Sequence, residues 1–221
     1  SGLDVNHPDL VNACTAPSSM DFTNSVNKAK DAFGHGTHLA GIIAGRSPRA
    51  EGIVGIAKKC KLQNLKVMYN DGTIEGKNVL SALNHLLTNQ NKVPSPDILN
   101  ASFDVTYDEY VVIKPLINKL ASQLIIVASA GNNRKLLNNK TPYCPAVSDN
   151  IISVGAINDS LYETTKTPVF NKRVDYLIPL INVNSCSPVA PYYNLLSGCS
   201  QATAIVSGLV ALILSQNNLK G

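Results

Sequence analysis

A histidine set between glycines opens a run of small and apolar residues, Gly34-His35-Gly36-Thr37-His38-Leu39-Ala40-Gly41. Glycine on each side lets the backbone turn tightly and leaves the imidazole uncovered. An exposed imidazole that titrates near neutrality is the usual general base of nucleophilic catalysis. Three readings compete. The octapeptide is a glycine-rich helix start with incidental histidines, a metal site on His35 and His38, or the base of a serine or cysteine hydrolase. The metal reading is short of ligands: zinc takes three or four, and the pair supplies two. The hydrolase reading requires a nucleophile and an oxyanion donor elsewhere in the chain.

A nucleophile is offered near the C-terminus. From Ala202 to Leu214 the chain reads as a helix of small and aliphatic residues, buried on nearly all sides. Ser200 stands at its start, just after Gly198, where free backbone N–H groups and the positive end of the helix dipole lie close to the hydroxyl. Such N–H groups can stabilise an oxyanion beside the attacking oxygen. The plainer reading is a serine that caps the helix. Cys199 is the rival nucleophile, since a thiol at a helix N-terminus is activated. The oxyanion donor is offered by Leu124 to Asn133, an apolar strand of the parallel, doubly covered kind that ends in a glycine turn. Asn132 falls at the carboxyl end of that strand, where sites in open α/β sheets form. Its alternative role is that of a turn asparagine, for which Asn133 is better suited.

Taken together and in order, these segments resemble the subtilisin-like serine proteases, and the resemblance covers essentially the whole chain. His7-Pro8-Asp9-Leu10 looks like the stretch just after that family's catalytic aspartate. His35-Gly36-Thr37-His38 looks like its histidine motif, Asn100-Ala101-Ser102-Phe103 like its substrate-pairing strand, Ala130-Gly131-Asn132 like its oxyanion turn, and Gly198 to Gly208 like its serine motif. The resemblance places the attacking hydroxyl on Ser200, ahead of Cys199. It implies an endopeptidase that works through an acyl-enzyme on Ser200, with His35 as general base and Asn132 in the oxyanion hole. It puts Ser102, Phe103, Asp104, Ala130 and Gly131 in contact with protein or peptide substrates. No cofactor is required. A secreted protein, made as a zymogen with its own N-terminal prodomain, is implied as well.

The chain departs from the family pattern at four places. The family's aspartate immediately precedes a Ser/Thr-Gly pair, here Ser1-Gly2, so residues 1–221 are expected to be one peptidase domain truncated at both ends. The first strand with the aspartate and the C-terminal helical region would then lie outside it. Asp4 is too far along to substitute. The piece by itself is expected to be inactive, since replacing that aspartate by asparagine costs about 10⁴-fold in the well-studied triads. Around the serine, Cys199, Gln201 and Ala204 replace Thr, Met and Pro. This departure motivates a second expectation, an inactive pseudoprotease kept as a binding or regulatory scaffold. Asp104 stands where the family has glycine, and either selects a basic side chain or obstructs the pocket. Finally, Asp9 matches a calcium ligand, but the partner loop Arg46 to Gly52 carries two arginines, which oppose a structural calcium ion.

Composition agrees with one globular domain: 221 residues, 44% of them hydrophobic, allow a large core. The formal charge of +4 is scattered over Lys28-Lys30, Lys58-Lys61 and Lys172-Arg173 and makes no stripe for nucleic acid. Ala202 to Leu214 is too short to span a bilayer. The five cysteines show no metal-type spacing, and Cys144 and Cys186 are candidates for pairing. Asn139 and Asn158 begin glycosylation sequons. Asn100 does so too, but within a strand expected to be buried. Strands are expected at 62–68, 97–102, 124–130, 151–156 and 174–180, with helices at 76–88 and 112–123 between them. That alternation predicts an α/β domain, and the family resemblance makes it a three-layer fold with a mainly parallel central sheet and helices on both faces.

Overall fold

The computed structural model describes residues 1–11, 13–89, 95–132, 145–157, 174–179 and 182–217. The sequons at Asn139 and Asn158, Asn133, Cys144 and Lys172-Arg173 lie outside them. In chain order the elements are β1 (Cys14–Asp21), α1 (His35–Ala44), β2 (Leu62–Lys66), α2 (Gly76–Thr88), β3 (Ile98–Ala101), α3 (Tyr107–Ala121), β4 (Ile125–Ser129), β5 (Ile152–Ile157), β6 (Tyr176–Pro179), β7 (Val183–Cys186), β8 (Tyr193–Leu196) and α4 (Cys199–Asn217). The central sheet runs β3-β4-β5-β6 with every pair parallel, as the alternating pattern predicts. β1 and β2 form a parallel pair, and β7 and β8 an antiparallel hairpin.

Alternation along β4 divides the core between two faces. Ile126 and Ala128 join Val79, Leu83, Ile113, Ile117 and Leu120 of α2 and α3. Val127, between them, joins Val154 of β5 and Ala202 and Val206 of α4. Neighbouring side chains of a strand point to opposite faces, so one short apolar run serves two helical layers. Between α1 and α4 a smaller cluster of Leu39, Ile42 and Ala204 brings the two helices together.

Two helices begin earlier than the apolar pattern predicts. α3 starts at Tyr107 because Thr106 and Glu109 form a capping box, each side chain bonding the other's backbone N–H. α4 starts at Cys199 and runs 19 residues, with a mean hydropathy of 1.5 over Cys199 to Gln216. By length and composition it therefore could cross a membrane, contrary to the reading from Ala202. Half of that stretch is buried inside the protein, however, which accounts for its apolar character. The β7–β8 hairpin has no counterpart in the sequence reading. His38, fully buried, holds it by donating from Nε2 to the carbonyls of Val183 and Asn194, at 3.1 and 3.0 Å.

Candidate active site

His35 is the first residue of α1, and its position is set by a carboxylate just ahead of it. Asp31, 2% exposed, accepts through Oδ1 from the N–H groups of Phe33 and Gly34, and through Oδ2 from the N–H and hydroxyl of Thr37. One buried side chain thus ties the turn before α1 to the Thr37 N–H of its first turn. Burial pushes its carboxyl up, but the bonds from Gly34 and Thr37 outweigh this and hold it below the usual range. Gly34, the N-cap, has φ 101°, and a Cβ on Gly36 would lie 2.1 Å from the carbonyl oxygen of Gly2. The two glycines that flank the imidazole are therefore required by the turn and by this close approach. The Gly36 N–H also donates to Ser1 Oγ at 2.7 Å, so the chain around Ser1 lies against the histidine turn. Burial lowers the His35 imidazole below its usual value. At neutral pH it is an uncharged base.

His35, Asn132 and Ser200 line one cleft of about 310 Å³, together with Ser102, Phe103, Asp104, Ser129, Met68, Gly72 and Ile74. The cleft opens where β3 and β4 end and α1 and α4 begin, so strand C-termini and helix N-termini meet there. Ala130 and Gly131, buried behind Asn132, continue β4 into the turn. No hydrogen bond joins His35 to Ser200 here. Such bonds are often long in unliganded enzymes and tighten when substrate binds.

Asn132 is oriented by the turn that leads into Ser200. Its Oδ1 accepts from the Cys199 N–H at 2.9 Å, which leaves the Nδ2 hydrogens as the donors it can offer a ligand. Gly198 makes room for this: its φ is +151°, and a Cβ there would approach Asn132 Oδ1 to 3.2 Å. Ser200 is tied from the other side by a chain of bonds. Ser207 Oγ donates to Asn100 Oδ1, Asn100 Nδ2 donates to Ser102 Oγ, and Ser102 Oγ donates to the Ser200 carbonyl. The Asn100 amide is thereby engaged at both ends. Neither this chain nor Asp31 was drawn from the sequence, although an acid four residues ahead of His35 at a helix start was a legible capping signal.

The Cys199 thiol is fully buried, and burial pushes it up to about 11, so it is not an activated thiolate. Cys186 is free and buried, with its thiol raised to about 12 by burial, and its expected partner Cys144 lies outside the described residues. Asp4, also buried, directs Oδ1 to the Asn6 N–H.

Asp9 lies far along the chain from these groups and is fully buried. Its Oδ1 meets Arg49 at 3.3 Å, while its Oδ2 accepts from the Ile53 N–H at 2.9 Å and the Tyr193 hydroxyl at 2.8 Å. Arg49 also donates to the Tyr193 oxygen at 2.6 Å. His7, Asp9 and Cys186 bring ligand atoms within 4.8 Å of one another. Both nitrogens of His7 are nevertheless committed, Nδ1 to the Asp9 N–H and Nε2 to the Tyr192 carbonyl.

Asp104 sits on the cleft wall and is exposed. Desolvation alone raises its carboxyl to about 6, a rise that water at the exposed rim moderates.

Comparison with known proteins bears on this arrangement. The model of the Subtilase family matches residues 1–220. Subtilisin NAT of Bacillus subtilis subsp. natto is 29% identical over 98% of this chain and 54% of its own length. The subtilase-type proteinase RRT12 of Saccharomyces cerevisiae is 31% identical over 98% of this chain and 42% of its own. The chain thus spans about half the length of the first of these relatives. Among solved structures, Sphericase superposes with a TM-score of 0.79 at 26% identity, covering 98% of this chain and 75% of that one. With its α/β layers, parallel sheet and near-complete match, this chain belongs to the subtilase family.

Proposed function

We propose that the protein containing this chain is a serine endopeptidase, with Ser200 as nucleophile, His35 as general base and Asn132 as oxyanion donor. The observation that supports this reading best is the convergence of these three side chains on one cleft, beside the Ser102-Phe103-Asp104 strand exit. His35, neutral at pH 7, takes the Ser200 proton as Oγ attacks the scissile carbonyl. The oxyanion that forms is held by Asn132 Nδ2 and the Ser200 N–H at the start of α4. His35 then returns the proton to the leaving amine, and water releases the acyl group by the same route. Ser1 lies against the His35 turn, and a carboxylate reaching the imidazole from that side would orient it.

On this reading Asp9 holds its loop through Arg49 and Tyr193, and calcium does not fit. A divalent cation needs free oxygen ligands, and here a guanidinium already answers the carboxylate. The substrates are peptides, and a secreted protein with a prodomain remains the expectation from the family.

Fluorophosphonate labelling of the full-length protein tests the proposal. Labelling is expected on native protein and absent from Ser200→Ala, whose melting temperature should stay within a few degrees. Labelling of both proteins to the same extent would refute Ser200 as nucleophile. A folded, processed protein that takes no label would instead support the inactive scaffold, a reading motivated by Cys199, Gln201 and Ala204 around the serine.

A further inference from the structure

We propose that Asp104 selects substrates with a lysine or arginine side chain at the residue that enters the cleft beside Ser200. The inference rests on the cleft being the substrate site of the reading above, and it names the substrate class. Among the described residues the Asp104 carboxylate has neither a hydrogen bond nor an ion pair. By contrast, the buried Asp9 is answered by Arg49 and the buried Asp31 by four donors. Asp104 instead borders the same cleft as His35, Asn132 and Ser200.

Two facts favour selection over obstruction. The residue is exposed, so its side chain borders the cleft without filling it. A volume of about 310 Å³ stays open, at the low end of the range found for ligand pockets. The other groups on the cleft wall are neutral at pH 7 or uncharged: the His35 imidazole, the hydroxyls of Ser102, Ser129 and Ser200, the Asn132 amide, and the apolar Met68, Ile74 and Phe103. Among the described residues its lining therefore carries a single negative charge and no counter-charge. Apolar walls with one charged acceptor suit the methylene stem and cationic head of lysine or arginine. Desolvation raises the carboxyl only to about 6, so it is mostly ionised at neutral pH.

The test measures binding, so it does not depend on turnover. Product-type peptides that differ only in a C-terminal Lys, Arg or Leu are titrated calorimetrically into full-length protein carrying Ser200→Ala. The basic peptides are expected to bind about ten-fold more tightly than the Leu peptide, as a charge-assisted hydrogen bond allows. In the same background Asp104→Asn should abolish that preference. Asp104→Ser serves the same purpose should the asparagine variant fail to fold. Equal affinity for all three peptides, or a basic preference that survives both substitutions, overturns the proposal. So does Asp104→Gly if it improves binding of Leu and Lys peptides alike, because that is the signature of obstruction. The failure of the parent reading looks different: no labelling of native protein by fluorophosphonate, with an Asp104-dependent basic preference still measurable in the cleft.

Discussion

Asp31 shows how much of the candidate site depends on a residue that does not line the cleft. It answers four donors at the start of α1 and so fixes the backbone on which His35 stands. Lys66, fully buried, anchors the neighbouring turn by donating to the Lys30 carbonyl at 2.9 Å. Replacing Asp31 by asparagine keeps the shape but exchanges an acceptor-only group for one that also donates. Its Nδ2 would then face N–H or O–H donors. A loss of roughly 2–3 kcal/mol in urea unfolding at pH 7 is expected, in line with buried hydrogen bonds to a charged group. The pH dependence has a defined sign. Asp31 is held below the usual carboxylate range, so its contribution is complete above the unfolded pKa near ~3.9 and is lost as pH falls through the folded value. The gap between native protein and Asp31→Asn should therefore narrow in acid. A gap independent of pH down to the acid limit would show that the ionised carboxylate is not what holds the turn. Asp31 was within reach of sequence reading: it precedes a glycine-bounded helix start. The bonds to Thr37 were not, since they require the helix to be already in place.

The same contrast holds for whole elements. The apolar runs of β4 and β5 were plain in the sequence because both faces of those strands are covered. α3 was legible only from Val112, since its first turn is polar and Pro115 interrupts the pattern. The true start lay in Thr106 and Glu109, a local capping signal. The β7–β8 hairpin had no local signal, because its strands are four residues each and are pinned by His38 and His7 from distant parts of the chain. The loop from Arg46 to Gly55 is an intermediate case. Its two arginines spoke against a cation, and Arg49 in the structure lies on the Asp9 carboxylate, but nothing in the sequence pointed to Tyr193 as the third partner. Chelation is accordingly expected to leave thermal stability unchanged, with Tm in EDTA equal to Tm in millimolar calcium. Arg49→Ala should cost about 1 kcal/mol, a modest figure because the arginine side chain is 55% exposed. A calcium-dependent rise in Tm reversed by EDTA would establish a bound cation and contradict the assignment of Arg49.

At the scale of the whole molecule, His35 and Ser200, the proposed base and nucleophile, stand at the N-termini of two different helices. What fixes their separation is the packing of α1 on α4. That contact is made with small residues: Ala204, fully buried, meets Leu39 and Ile42. Gly208, a turn further on, packs on Ile56 in the segment after α1, where a Cβ would lie 2.8 Å away. Close-packed interiors transmit such a change in volume, and overpacking typically costs 1–3 kcal/mol. Ala204→Leu is thus expected to destabilise by about that amount while displacing one helix relative to the other. Reacting groups tolerate little displacement, and a shift of about 1 Å can cost roughly 100-fold. If the proposed roles of His35 and Ser200 hold, kcat should fall by about that factor in the variant. KM should change much less, since the Ser102-Phe103-Asp104 wall belongs to the chain after β3 and does not ride on α1. Fluorophosphonate labelling should slow in parallel with kcat, because it draws on the same His35–Ser200 geometry. A variant that loses the expected stability yet labels and turns over at the native rate would mean that α1–α4 packing does not set the distance between base and nucleophile. The chain from Ser207 through Asn100 and Ser102 to the Ser200 carbonyl would then be the structure that does.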